Sequence, residues 1–484
     1  MRFFRTLNLI VVLICLGLVV GTPKTTLTES QPAAKGPLPP IIFVEAPTVS
    51  STGLAERFPQ GSRLARLALG SPSSSASDLT PGFFAAADPR VSFDASHVLF
   101  AGQKTRGSRW QIWEMNADGS GQRQLTHCPA DCGQPAYLPQ SQIVFTMVAG
   151  KGSQQNSAVY VSQEDGSGAH AITFGPGDYE VETVLGSGRI LVSAKTTLVP
   201  GSQGSGSRMF YTLQPDGSGL TPFRWNSRPN AVRSAAVELS DGTVLFVKRA
   251  APEARAMGGQ LAWIRPGALH NSVLTAGGSV YASAQPLDGD RLIVSKSDAG
   301  PAGTFGLYVF NFATKTVEKT VYRNPKFSSI DAVPLEPRPA PLYYWTILHP
   351  DRDYGRIVCL NSYLSADAPR GRLAGHIAQV RVIALQPDHH TERILGDAPV
   401  ESDGSFYIKV PADYPIRFEL LSTKGSVIHA QKSWIWARTG EDVPCLGCHE
   451  SKALAPTDHW PLALKRSDTP TPVGVPSNQQ SAKQ

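Results

Sequence analysis

One tetrapeptide, repeated three times, constrains this chain more than any other feature. Asp118-Gly119-Ser120-Gly121, Asp165-Gly166-Ser167-Gly168 and Asp216-Gly217-Ser218-Gly219 recur at spacings of 47 and 51 residues, after the short apolar-aromatic runs QIWEM, AVYVS and RMFYTL. A second series runs about twenty residues ahead of them: SHVLFAG from Ser96, SQIVFTM from Ser141, GRILVSA from Gly188, GTVLFVK from Gly242 and DRLIVSK from Asp290. One unit therefore reads as strand, loop, aromatic strand, DG turn and strand. Such a unit cannot bury both of its faces alone and must stack on copies of itself. With 44 glycines and 39 prolines in 484 residues and only 17% charged residues, the composition suits short strands and tight turns. The expected fold class is mainly β: a six-bladed β-propeller, with a seventh blade admitted, followed by a small β-sandwich. A pair of β-sandwiches is the alternative, because spacing alone does not establish radial closure.

The segments NADGSGQRQLT and SFDASHVLFAG resemble the TolB-type, or PD40, propeller repeat, in which a DG turn is followed by a Leu-Thr pair. Later units, QLAWIRPGAL and GLYVFNFATK, keep the strand and lose the DGSG turn. IIFVE from Ile41 with RLARLAL from Arg63 reads as an earlier blade, and PLYYWTI with GRIVCLNSYL from Gly355 as a later one. The propeller is expected over 40–367. Beyond it the texture becomes alternating runs separated by ESDGS, PADYP and TKGS, which reads as an antiparallel sandwich over 368–466.

The N-terminus is expected to export the chain. Arg2 and Arg5 precede an apolar run from Leu7 to Val20, so 1–21 reads as a signal peptide or an uncleaved anchor. The Pro/Thr/Ser-rich stretch 22–39 is a flexible linker and 467–484 a disordered tail. The expected location is the periplasm, with membrane contact only through that anchor. A net charge of +6 without Lys/Arg runs gives no footprint for nucleic acid. No Ser/His/Asp order, HExxH, P-loop or paired-carboxylate pattern stands out.

The chemistry concentrates in GEDVPCLGCHE, 440–450. In Cys445-x-x-Cys448-His449, two thiols at this separation can add to the two vinyl groups of one haem, and the adjacent imidazole then lies where it can ligate iron. A thioredoxin-like CxxC needs a βαβ context that is absent, and a zinc site needs a second close pair of ligands. The expected cofactor is one covalent haem c on Cys445 and Cys448, with His449 the proximal iron ligand. His459 is the candidate distal ligand or a solvated loop residue; His376, His389, His390, His429 and a propeller methionine between Met115 and Met257 are weaker candidates. Cys128 and Cys132, in THCPADCGQPAYLP, are a candidate disulfide, or a metal or haem-edge site with Asp131 and His127. Cys359 reads as a buried small side chain.

LGDAPVESDGSFYIKVPAD followed by SWIWARTGEDVPCLGCHE resembles the middle domain of the hydrazine synthase alpha subunit family, a module found after PD40-type propellers. The resemblance is most specific over 395–456. It implies a propeller followed by a haem c domain held by Cys445 and Cys448. In that family the middle-domain haem is catalytic and a further domain supplies a second haem; the sequence given has no second CxxCH after Ala463. The function expected first is electron transfer by an exported monohaem cytochrome-like protein, with the propeller as docking platform and a redox protein as partner. The alternatives are a haem enzyme with an open iron site acting on a small nitrogen or oxygen compound, and a non-catalytic binding scaffold.

Overall fold

The computed structural model describes residues 37–47, 49, 58–68, 75–150, 156–195, 208–223, 231–250, 257–265, 268, 271–275, 277–365, 368, 371–388, 391–431, 433–447, 460–467 and 469–475. The expected signal or anchor over 1–21 lies outside them, as do Cys448, His449, His459, His389 and His390. Among the described residues no helix is long and apolar enough to cross a membrane.

The described chain up to Pro334 forms six four-stranded antiparallel sheets. Blade 2 runs Ala85–Val91, His97–Gln103, Gln111–Asn116 and Arg123–Gln124; blades 3, 4, 5 and 6 repeat this order from Asp131–Leu138, Glu180–Val184, Ala231–Glu238 and Val280–Pro286. Blade 1 is assembled from both ends of this region. Ser328–Pro334 supplies its innermost strand and pairs antiparallel with Ile41–Ala46, which carries Arg63–Leu67 and Ser77–Asp78 outward. Each innermost strand neighbours the next, and the sixth returns to the first, so the sheets close into a ring. Apolar runs such as VLFAG and ILVSA are continuous because both faces of each sheet are covered by neighbouring blades. Closure is fixed by charge as well as by strand pairing. Glu45, wholly buried in blade 1, accepts hydrogen bonds from Arg63 of its own blade (2.7 Å), from the Tyr322 hydroxyl of blade 6 (2.7 Å) and from the Asn324 amide (3.0 Å).

The repeat residues have distinct tasks. In Leu79-Thr80, Leu125-Thr126, Ile172-Thr173 and Leu274-Thr275, the threonine hydroxyl accepts the backbone N–H of Leu64, Ile112, Val159 and Leu261 at 2.9–3.0 Å. The aliphatic residue before it donates its own N–H to the carbonyl of that same strand residue. The pair thus fastens the outer edge of blades 1, 2, 3 and 5 where the fourth strand ends. The DG turn then packs on that pair from the following blade. Gly166 of blade 3, at φ +85°, sits so close to blade 2 that a Cβ would lie 1.8 Å from the Leu125 carbonyl oxygen; at Gly217 of blade 4 a Cβ would lie 2.6 Å from that of Ile172. Glycine here serves the backbone conformation and the seam between blades together.

Two expected boundaries shift. GRIVCLNSYL, read above as a late blade, lies outside the ring: Tyr354–Cys359 pairs with Phe406–Pro411 and, in parallel, with Asp442–Cys445. Its alternating burial fits one solvent-facing side, which a central blade strand does not have. Within the expected tail, Thr471–Pro472 pairs in parallel with Phe406–Pro411, and Val473 is buried. The second module is thus a sandwich of two four-stranded sheets. One orders Asp442–Cys445, Tyr354–Cys359, Phe406–Pro411 and Thr471–Pro472; the other orders Glu392–Pro399, Ile377–Leu385, Ile416–Ser422 and Val427–Ala430. Ile357, Val380, Ile408 and Phe418 meet in their shared core.

Gly166→Ala separates the two demands on a DG-turn glycine. It is expected to cost about 3 kcal/mol, from backbone strain plus the clash with Leu125. Gly168→Ala, at φ +66° with open space around it, costs about 1 kcal/mol. Equal shifts of the two chemical denaturation curves would show that the blade seam does not require the glycine.

Candidate haem-attachment site

The chain reaches CxxCH through a segment fastened to the propeller. Residues 434–441 run from the sandwich into the seam between blades 3 and 4, where the Trp436 side chain is buried among Phe174, Tyr179 and Ile172. Its ring meets those of Phe174 and Tyr179 edge-on, with centroids 5.7 and 5.5 Å away. Its indole N–H donates to the Gly217 carbonyl at 3.4 Å. Arg438 lies over the Phe174 ring, donates to the Ala171 carbonyl at 3.3 Å and pairs with Asp413 at 3.1 Å. Glu441 completes the joint by accepting the N–H of Gly219 at 2.8 Å and that of Arg438 at 2.8 Å. Burial pushes its carboxyl above the usual carboxylate range, against the pull of those two donors.

The third DGSG turn therefore serves twice. Its Gly217 carbonyl and Gly219 amide hold the sandwich, while its Asp216 carboxylate accepts the Thr346 hydroxyl from the segment joining the two modules. That joining segment is anchored again where the His349 N–H donates to the Thr439 carbonyl (3.0 Å).

Past this joint the chain forms Asp442–Cys445, the edge strand of its sheet. The alternation sets Asp442 outward, paired with Arg356, and turns Val443 and Cys445 toward the sandwich core. Cys359 is the parallel register partner of Cys445, on the same inward face. Burial pushes the Cys445 thiol up to about 11, so it is held neutral at physiological pH. The turn that follows is clamped. Leu360 and Asn361 donate their N–H groups to the carbonyls of Cys445 (2.8 Å) and Leu446 (3.1 Å), and a Cβ on Gly447 would lie 2.7 Å from the Leu364 carbonyl oxygen.

The described part of the motif supplies one of its two thiols, turned toward the sandwich core. The first thiol ends an edge strand, and the glycine of CLGC fills a cradle that admits no side chain. The other donors of the motif, Cys448 and His449, lie outside the described residues.

The remaining candidates are dispersed. His376 is exposed ahead of Ile377–Leu385, and His429 lies in Val427–Ala430, both on the sheet opposite Cys445. Met115 is buried in the core between blades, and Met257 borders the ring's central channel. Cys128 and Cys132 are joined as a disulfide, while Asp131 accepts the Trp110 N–H at 3.1 Å and His127 is exposed. Among the described residues no group of three or more His, Cys, Asp or Glu is placed to hold a metal ion. Sequence reasoning missed the docking role of Trp436, the Cys359–Cys445 register and His349, whose ring packs against Gly440. Each is a long-range pairing; only the SWIWA aromatics gave any local signal.

Residues 364–450 match the family described as the hydrazine synthase alpha subunit middle domain, in agreement with the resemblance carried by 395–456. Over 544 residues the chain is 23% identical to hydrazine synthase subunit alpha of Kuenenia stuttgartiensis, covering 86% of this chain and 66% of that protein. The chain thus spans just under two thirds of that relative. The solved structure of Kuenenia stuttgartiensis hydrazine synthase matches with a TM-score of 0.78 at 22% identity, over 89% of this chain and 71% of that one, and so shares the fold.

One expectation is overturned. Electron transfer by a cytochrome-like protein, with the propeller as a docking platform, is not what the comparison supports: the relative matched over most of the chain is named as a synthase subunit.

Trp436→Ala is expected to cost about 3–5 kcal/mol. Limited proteolysis should then cut between the modules, near 335–353, while each module stays intact. An unchanged denaturation midpoint and digestion pattern would mean that the seam does not hold the modules together.

Proposed function

We propose that this chain is a haem enzyme of the hydrazine-synthase-like kind, acting on a small nitrogen or oxygen compound at an open iron coordination position. The observation that carries the reading is the fixed approach to CxxCH: a buried joint at Trp436, an edge strand, and a turn cradled at Gly447. A site meant to position a small reactant benefits from such rigidity, since catalytic groups act only when held in place by packed supports.

Cys445 and Cys448 would hold one haem c through thioether bonds, with His449 as proximal ligand. The haem would supply an iron centre able to bind and reduce or couple a small molecule. The chain's own contribution is positional. The sandwich core carries Cys445, and the propeller fixes the sandwich through Gly217 and Gly219.

The setting follows from the same chemistry. Covalent haem attachment and the Cys128–Cys132 disulfide both favour an exported chain, in line with Arg2 and Arg5 ahead of an apolar run. Protein partners are part of the proposal because the Kuenenia stuttgartiensis relative is named as a subunit.

Expression with a functioning haem-attachment system should yield covalent haem, and Cys445→Ala with Cys448→Ala should abolish it. The loaded protein should show high-spin bands that shift with carbon monoxide. Low-spin six-coordinate bands indifferent to carbon monoxide would contradict an open site, and covalent haem surviving the double substitution would contradict the attachment.

A further inference from the structure

The central channel of the propeller is a second place where chemistry gathers, apart from the haem motif. All six innermost strands break register with their neighbours at the same level, through a bulge in each: beside Ala87 and Arg90, Gly133 and Ala136, Val181 and Thr183, Ser234 and Val237, Tyr281 and Ser283, and at Ile330 to Val333. Asp88, Gln134, Ala235 and Asp331 stand at these bulges with φ of 51–52°. Bulges re-aim side chains, and a ring of six at one level turns a lining that would otherwise alternate into a belt of side chains facing the axis. Backbone strain of this sort, repeated around a cavity, is characteristic of binding sites.

The belt encloses a cavity of about 150 Å³. An apolar cavity of that volume holds benzene, so there is room for about six heavy atoms. Four carboxylates face it, Asp88, Glu180, Glu182 and Asp331, against three guanidinium groups, Arg90, Arg208 and Arg249. With all of them ionised the lining carries one excess negative charge. Arg208 is engaged with Glu180 at 3.2 Å. Glu182, only 6% exposed, receives neutral donors: the Ala236 N–H at 3.1 Å and the Ser193 hydroxyl. Arg90 reaches the Glu182 backbone carbonyl (3.5 Å) through its guanidinium. Val181, Val247 and Met257 add an apolar flank to the same cavity.

We propose that the channel binds a small protonated aliphatic amine, its ammonium group taken by the Glu182 carboxylate and its alkyl part by the Val181, Val247 and Met257 flank. The charge left over in the lining selects a monocation, and the mixed lining selects an amphipathic one. A buried carboxylate held by neutral donors, with its nearby guanidinium Arg208 engaged by Glu180, is costly as an anion, so a proton or a bound cation stabilises it. Burial pushes the Glu182 carboxyl up to about 7, and the neighbouring Glu180 adds to this while Arg208 opposes it. Proton and ligand therefore compete near neutrality. This inference does not depend on the haem reading.

Calorimetry on the full-length chain with n-butylammonium chloride, butan-1-ol and sodium butyrate tests it. The amine should bind and the other two should not. Its affinity should fall about tenfold per pH unit below about 7, with about one proton released per amine bound near pH 6 when buffers of different ionisation enthalpy are compared. Glu182→Gln, which keeps the side chain's shape, should weaken binding at least about tenfold and flatten the pH profile. Absence of amine binding, equal binding of the alcohol or the anion, or a wild-type affinity independent of pH would each overturn the proposal. The proton count on the wild-type chain keeps the test decisive even where the variant fails to fold.

Discussion

Everything in this structure depends on how closely one turn can approach the backbone of the neighbouring blade. At the DG turns, a glycine at positive φ lets the chain settle on the Leu-Thr or Ile-Thr pair before it, and three seams of the ring build on that contact. The third turn carries the contact further. With its amide and carbonyl still available beyond the blade, it accepts Trp436 and donates to Glu441, so the device that stacks blades also fastens the sandwich. The CxxC segment begins four residues after Glu441, and its position follows from that joint.

Much of this was legible in the sequence, for physical reasons that differ by element. The DGSG turns and the continuous apolar runs announced four-stranded units because local turn chemistry and two-sided burial both leave marks on neighbouring residues. The Leu-Thr pair, noticed as a pattern, proves to be a hydrogen-bonding clamp. The sequence of Tyr354–Cys359 reads as a ring strand because an apolar strand does not declare its partner. Its partners, Phe406–Pro411 and Asp442–Cys445, lie far along the chain. For the same reason no reading of the sequence could set Cys359 beside Cys445 or pack Gly447 against Leu364.

The two chemical centres stand in contrast. At the CxxC segment the surroundings are apolar and clamped, and the Cys445 thiol is held neutral by burial. In the central channel the surroundings are charged, and bulges at one level turn carboxylates and guanidinium groups toward a common axis. Neither Asp88, Glu182 nor Asp331 belongs to a recognisable motif. The symmetry of the ring assembles them, one blade at a time, and only the closed ring reveals that they share a cavity.

The third DGSG turn makes propeller and sandwich a single cooperative unit. Hydrogen–deuterium exchange read by mass spectrometry tests this on the peptides spanning 214–220 and 434–442. The Gly219 and Arg438 amides, both held by Glu441, should exchange together and as slowly as the innermost blade strands. Early exchange of these two peptides, with the blade strands still protected, would show that the modules part freely and would contradict the account.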